Sequence, residues 1–250
     1  MSERTAPPLF CGPPAELELS CGSNAFQKLR QQRQRSATRP FLARGHRVVR
    51  CPRCQLNRCI CHHRQSHTSE IDFLLLMHRN EVLKPTNTGS LVADCFPANT
   101  WAATWHRTQP PAELLQLLDN GRHRPLLLFP GELNPVFYEQ PDTNEHSDSR
   151  WLLVVIDATW KQARKMYLQS PWLQTMPTIR INAGHSAAYH LRQAVDGDQL
   201  STAEAVAYGL DSLNQPASAQ HLRHYFGIFN QHYLAMRRNL VEPVVTHNQG

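Results

Sequence analysis

Six consecutive apolar residues at 151–156 (WLLVVI) stop at Asp157, and Ala158, Thr159 and Trp160 follow. A run so short, continuous and rich in β-branched side chains predicts a strand buried on both faces, as inside a parallel sheet. Residues 161–170 (KQARKMYLQS) predict a helix, closed by Pro171. In open α/β sheets, ligands bind outside the carboxyl ends of the strands, where such a strand-to-helix turn lies. Asp157 and Thr159 are placed there for chemistry, or else they cap the following helix; the local pattern allows either.

The same alternation recurs from residue 71 onward. Residues 71–77 (IDFLLLM) form a second buried-strand pattern, followed by His78, Arg79, Asn80 and Glu81. Lys84-Pro85 leads into TNTGSLVADC, a helix start with Thr86 or Asn87 as cap and Gly89 permitting close backbone approach. Residues 99–105 predict a strand. Residues 111–120 (PAELLQLLDN) predict a helix with Pro at its start and Gly121 past its end. A third apolar run, 126–129, precedes Pro130-Gly131. Residues 132–150 read as an inserted polar loop, and 178–182 as a short strand. Ser201-Thr202-Ala203-Glu204 fits a capping box opening another helix. Leu222, Tyr225, Phe226, Phe229, Tyr233 and Met236 recur at helical spacing, marking a core-facing stripe. The expected architecture is α/β, with a mostly parallel sheet flanked by helices. Neither G-x-G-x-x-G nor a Walker sequence occurs.

Charge divides the chain. The net charge is +6, yet the eleven basic residues from Lys28 to Arg64 include no intervening acid, leaving the remainder at −5. So confined an excess predicts a polyanion-binding arm, against the alternative of a solubilising tail. Within it, Cys51, Cys54, Cys59 and Cys61 fall in eleven residues. Thiolates gathered this tightly suit a structural tetrahedral Zn²⁺, with His62 and His63 as substitute ligands and an iron–sulfur cluster as the alternative. Seven unevenly placed cysteines are no secreted disulfide framework. The N-terminus lacks a signal-peptide core and no apolar run approaches a bilayer span, so a cytoplasmic protein is expected. Residues 1–24 offer no periodic pattern, and 24–36 (NAFQKLRQQRQRS), polar and basic with helix formers, predict a surface helix broken at Arg39-Pro40. The organisation expected is a basic, flexible extension over 1–35, a cysteine knuckle and basic arm over 36–70, and a catalytic domain over 71–250.

Asp157-Ala158-Thr159-Trp160 resembles the D-x-T-W signature of the DTW-domain family, the tRNA-uridine aminocarboxypropyltransferases. The knuckle at 51–61, the run 39–45 (RPFLARG), 84–89 (KPTNTG), Phe129-Pro130, 163–166 (ARKM), 189–192 (YHLR) and 201–204 (STAE) match in order, over roughly residues 36–240.

The resemblance implies a SPOUT-like fold with a C-terminal trefoil knot. It also implies S-adenosylmethionine as donor of a 3-amino-3-carboxypropyl group to N3 of a tRNA uridine, at position 47 of the variable loop. It implies catalytic roles for Asp157, Thr159 and Trp160, and cofactor contacts from Phe129, Pro130, Gly131, Asp157, Ser201, Thr202 and Glu204. RNA or substrate contacts fall to Arg39, Arg44, Arg47, Lys84, Asn87, Arg164, Lys165 and Arg192. A SPOUT-type RNA methyltransferase and a non-catalytic zinc-stabilised RNA-binding protein are the alternatives to weigh.

Overall fold

A computed structural model of the chain describes residues 9–15, 22–39, 41–43, 45–129, 137–138, 149–179 and 200–237. Its centre is a sheet of seven strands: β1 (Phe10–Cys11), β2 (Asp72–Met77), β3 (Thr100–Thr104), β4 (His123–Leu128), β5 (Phe137–Tyr138), β6 (Arg150–Asp157) and β7 (Thr178–Ile179). The spatial order is β1-β3-β2-β6-β4-β7-β5. All pairings are parallel except that of β1 with β3. The expected mostly parallel α/β sheet is therefore present. The run 151–156 is the interior of β6, the last of the three long central strands in sequence and yet inserted between the other two.

Side chains of these strands alternate between two cores, as the pleat requires. Phe73, Leu75, Met77, Leu153 and Val155 pack with one set of helices; Leu74, Leu76, Leu152 and Val154 pack with the other. The first set comprises α1 (Ala25–Arg35), α2 (Gly89–Cys95), α6 (Thr202–Ser212) and α7 (Pro216–Arg237). The second comprises α3 (Ala112–Asp119), α4 (Trp160–Leu168) and α5 (Pro171–Gln174). Being covered on both faces explains why β2 and β6 read as unbroken apolar runs. The stripe at 222–236 lies on α7, with Leu222, Tyr225, Phe226 and Phe229 buried and Tyr233 and Met236 packed against them.

Three local readings change. The expected surface helix at 24–36 forms, capped by Asn24, whose side chain accepts from Gln27 N–H. It is not a surface element throughout: Ala25, Phe26 and Leu29 are fully buried and Arg30 and Arg33 are buried beside them, while Gln31, Gln32, Gln34 and Arg35 are exposed on the other face. Residues 1–24 showed no pattern, yet Phe10–Cys11 pair with Ala102 and Ala103; two residues are too few to show an alternation. The loop expected at 132–150 lies mostly outside the described residues, but Phe137–Tyr138 within it pair with β7.

The two ends of the sheet differ in kind. At the amino end, Asp72 accepts from Asn99 Nδ2 at 2.7 Å and faces His123 Nε2 at 3.1 Å and Arg150 Nε at 3.2 Å. That carboxylate ties the starts of β2, β3, β4 and β6 and is satisfied by them. The chemistry-bearing groups collect at the other end.

Candidate active site at the carboxyl edge of the sheet

Asp157 is the last residue of β6 and pairs in register with Met77. It follows Leu153 and Val155 in the pleat, so its side chain turns toward α2 and α6. There it is 3% exposed. Asn87 Nδ2 donates to Oδ2 at 2.7 Å, and Thr202 Oγ1 donates to Oδ1 at 2.8 Å. A Cβ on Gly89 would stand 2.3 Å from Oδ2, so this first residue of α2 must lack a side chain for the carboxylate to fit. The close approach expected at Gly89 is thus an approach to Asp157. Thr88 Oγ1 accepts from Ala203 N–H at 3.2 Å, fastening the α2 and α6 starts to each other.

Burial pushes the Asp157 carboxyl up to about 6, and nearby Glu81 adds to the rise; the Asn87 and Thr202 hydrogen bonds and Lys84 hold it from going higher. A buried carboxylate near neutrality, at a strand end, is suited to accept a proton. Lys84 itself pairs with Glu81 at 2.5 Å.

Thr159 caps α4: its backbone N–H and its hydroxyl both donate to Gln162 Oε1, at 3.2 and 2.8 Å. The capping alternative therefore describes its contacts, and the hydroxyl serves the helix start. Trp160, 46% exposed, lies on the opposite face of the sheet from Asp157. Its ring is stacked with Phe129 (centroids 6.0 Å apart, planes at 17°), and Phe129 stacks in turn on Tyr167 at 4.6 Å. This three-ring stack ends in a half-open indole beside the strand ends.

Ser201 and Glu204 form the expected capping box. The Glu204 carboxylate takes Ser201 N–H at 2.8 Å and its hydroxyl at 2.6 Å, which commits both side chains to the start of α6. Arg164 and Lys165 are exposed on α4, as are Arg39 and Arg47 near the knuckle. Pro130, Gly131, Arg44 and Arg192 lie outside the described residues.

His78, Thr88 and Gln162 were not foreseen. The available signal was position: His78 immediately follows the second apolar run, where a strand end would present it.

The four clustered thiols come together. All ligand atoms of Cys51, Cys54, Cys59 and Cys61 lie within 4.8 Å of one another, with Cys59–Cys51 at 3.5 Å and Cys51–Cys61 at 3.8 Å. Zn–S bonds of about 2.3 Å in a tetrahedron require sulfurs about 3.8 Å apart, so the four residues fit such an ion. Gln55, in the left-handed region at φ 61°, closes the turn between Cys54 and Leu56, and Cys51 N–H donates to Leu56 O at 2.8 Å.

The basic run is only partly an arm. Arg30 donates to the carbonyls of Val82 and Arg53, both at 2.9 Å. Arg33 donates to Arg79 O and Asn80 Oδ1, Arg50 to Gln55 O, and Arg64 to Gly22 O. Arg53 pairs with buried Asp94 at 2.8 Å. These five hold the knuckle, α1 and the β2–α2 turn together. The reading of the whole run as a polyanion-binding surface is corrected to its exposed members, because a guanidinium spent on internal carbonyls is not offered to a partner.

The sheet and its loaded edge define a three-layer α/β protein with a strand-end site and a separate thiolate centre. The profile of the DTW domain matches residues 48–234, most of the chain, which therefore belongs to the DTW-domain family. The chain is also similar to tRNA-uridine aminocarboxypropyltransferase 2 of Drosophila melanogaster, at 34% identity over 96 residues. That segment is 38% of this chain and 36% of the relative, so the similarity spans little more than a third of the relative's length. No solved structure matches the chain.

Proposed function

We propose that the chain is a tRNA-uridine aminocarboxypropyltransferase that uses S-adenosylmethionine as donor. The observation that carries this reading is Asp157: a carboxylate buried at the carboxyl edge of the central strand, held by Asn87 and Thr202 and raised to about 6, inside the D-x-T-W motif. N3 of uracil bears a proton and attacks poorly until that proton is removed. Asp157 accepts it, and as an anion it favours the cationic sulfonium of the donor over its neutral product. S-adenosylmethionine, when bound, supplies the electrophilic carbon: the N3–carbon bond forms as the carbon–sulfur bond breaks, the electron pair going to sulfur and 5′-methylthioadenosine leaving.

The remaining residues divide the binding. Thr202 and the cut-back backbone at Gly89 shape the cofactor side, together with Phe129 and the Pro130-Gly131 loop. Ser201 and Glu204 keep the α6 start in place for it. Trp160 offers its exposed face for base stacking, a contact worth about 1–3 kcal/mol for single-stranded nucleic acid. Exposed Arg39, Arg47, Arg164 and Lys165 are placed for RNA phosphates or the amino-acid carboxylate, and Arg44 and Arg192 belong to the same reading. Zinc in the Cys51–Cys54–Cys59–Cys61 knuckle is structural. The SPOUT-like knot belongs to this reading as what the resemblance implies; the parallel sheet supports the α/β class alone. A cytoplasmic tRNA, modified at its variable-loop uridine, is the substrate; no described helix is long and apolar enough to cross a membrane.

Incubation with unmodified tRNA and S-adenosylmethionine, followed by mass spectrometry of nucleosides and spent cofactor, tests the proposal. Aminocarboxypropyluridine with methylthioadenosine supports it. S-adenosylhomocysteine with a methylated base would establish a methyltransferase instead, and tRNA binding without product a non-catalytic RNA-binding protein.

A further inference from the structure

One polar chain at the site is left unused by that account. His78 follows Met77, the last residue of β2, and its backbone N–H donates to Asp157 O at 3.2 Å. It therefore sits one residue beyond the sheet, directly beside the end of β6. Met77 faces the α2–α6 side, so the pleat sends His78 to the α4 side, where its Nδ1 lies 3.3 Å from Gln162 Nε2. The ring is half-buried, and among the described residues Nε2 meets no hydrogen-bond partner.

The orientation of Gln162 decides the state of this imidazole. Its Oε1 is taken by two donors, the N–H and the hydroxyl of Thr159. An amide flip would turn its NH₂ toward the Thr159 N–H, which has no lone pair to offer, so Nε2 must point at His78. An NH₂ group only donates, and Nδ1 must accept. In a neutral imidazole the proton is then on Nε2. Burial holds the ring below the ordinary imidazole range; Lys84 and Arg79 on the turn after β2 and Lys165 on α4 act in the same direction, against the pull of Glu81. Asp157 meets it through the backbone contact.

We propose that His78 is a further catalytic residue, whose Nε2–H donates to a carbonyl oxygen of the target uracil, and that Thr159 and Gln162 position it by fixing its tautomer. The inference rests on the reading of the protein as a uridine-modifying enzyme. Its chemistry follows from the base itself: N3–H is flanked by C2=O and C4=O, and removing the N3 proton spreads negative charge onto both oxygens. A group that takes the N3 proton and a group that donates to the neighbouring oxygen must occupy adjacent positions along one edge of the ring. Asp157 and His78 stand on adjacent strand ends, approaching from opposite faces of the sheet. A preorganised neutral donor there stabilises the forming anion without competing for its proton. The threonine of the motif thereby acquires a role in the reaction while remaining a helix cap.

Four variants and one spectrum test this. His78→Ala and His78→Phe should each lower kcat about 10²-fold, the usual effect of losing one such donor, with binding of tRNA and S-adenosylmethionine unchanged. His78→Gln, which keeps an N–H donor, should recover to within about tenfold of wild type by the same reasoning. In Gln162→Glu the carboxylate accepts from Nδ1–H, so the tautomer inverts; kcat should fall as in His78→Ala. Imidazole ¹⁵N shifts, recorded above the titration of the ring, should show Nε2–H in the wild type and Nδ1–H in Gln162→Glu; a fall in kcat that accompanies this inversion while the melt is unchanged is a combination that a purely structural role would not produce. Wild-type kcat in a folded His78→Phe, or an Nδ1–H tautomer in the wild type, overturns the inference alone. Failure of the wild type to modify uridine overturns the functional reading, and this inference with it.

Discussion

Asn87 and Asp157 are seventy residues apart in sequence, yet both side chains are buried and Asn87 Nδ2 donates to Asp157 Oδ2 at 2.7 Å. The amide neutralises none of the charge. It stabilises the carboxylate without lending it a cation, which leaves burial dominant and the carboxyl near pH 6.

Asp157→Asn should abolish turnover while tRNA binding persists, and wild-type kcat/KM should rise through about pH 6 as the carboxyl ionises, then level off. Stability should move the other way. A folded-state pKa raised above the ordinary 3.8 favours the protonated fold, so its contribution is complete below about pH 4 and lost as pH rises through 6. At pH 8 the Asn variant should be more stable than wild type, by up to about 3 kcal/mol from the two-unit difference, and the gap should close by pH 4. Thermal melts at the two pH values check this; an Asn variant no more stable at pH 8 contradicts it.

Gly89→Ala places a methyl 2.3 Å from Oδ2. The carboxylate must leave its position, costing about 1–3 kcal/mol as overpacking does and about 10²-fold in rate as misplacement does. Comparing kcat with the unfolding midpoint separates the two effects. Gly209→Ala meets only leucine side chains, Leu128 and Leu153 at 3.1 Å, and should spare kcat.

Chelation, or Cys51→Ser with Cys54→Ser, should release about one metal ion per chain by elemental analysis, the stoichiometry of a four-thiolate site. Metal loss should lower the unfolding temperature by roughly 5 °C or more, on a scale of about 2–4 °C per kcal/mol at this chain length. Cofactor affinity should change less than stability, since the thiolates lie outside the strand-end pocket.

Arg39→Ala and Arg47→Ala should each weaken tRNA binding and reduce the slope of log affinity against log salt by about 1, without altering the melt. Arg30→Ala should do the reverse. It strips the Val82 carbonyl of its side-chain donor and leaves Arg53 O only the longer bond from Gln27 Nε2, at about 1–3 kcal/mol for a buried group left unsatisfied, while the salt slope stays near wild type.

What the sequence makes legible here follows the range of the interaction. The runs at 71–77 and 151–156 announce buried strands because burial on both faces acts on every residue in turn, and the Ser201–Glu204 box announces α6 because its two hydrogen bonds span three positions. Gly89 is legible as a place of close approach, though not what approaches it. The partners of Asp157 come from positions 87 and 202, and the chain from Thr159 through Gln162 to His78 bridges two elements; no spacing rule connects them. The basic run misleads for the same reason. Arg30 and Arg39 look alike as letters, and only the carbonyls that surround one of them separate a structural tie from a phosphate contact.

Helix α1 changes how the protein can be cut. Its Phe26 and Leu29 sit in the same core as β2 and α7, and its Arg30 bridges the knuckle to the turn that carries Glu81 and Lys84. Trimming the chain at residue 36 to isolate the catalytic portion would open a hole behind the sheet and unfasten the turn that sets the charge around Asp157. A minimal fragment that keeps the site intact has to begin ahead of Asn24, so that the thiolate knuckle and the sheet edge that carries Asp157 are inherited as one piece.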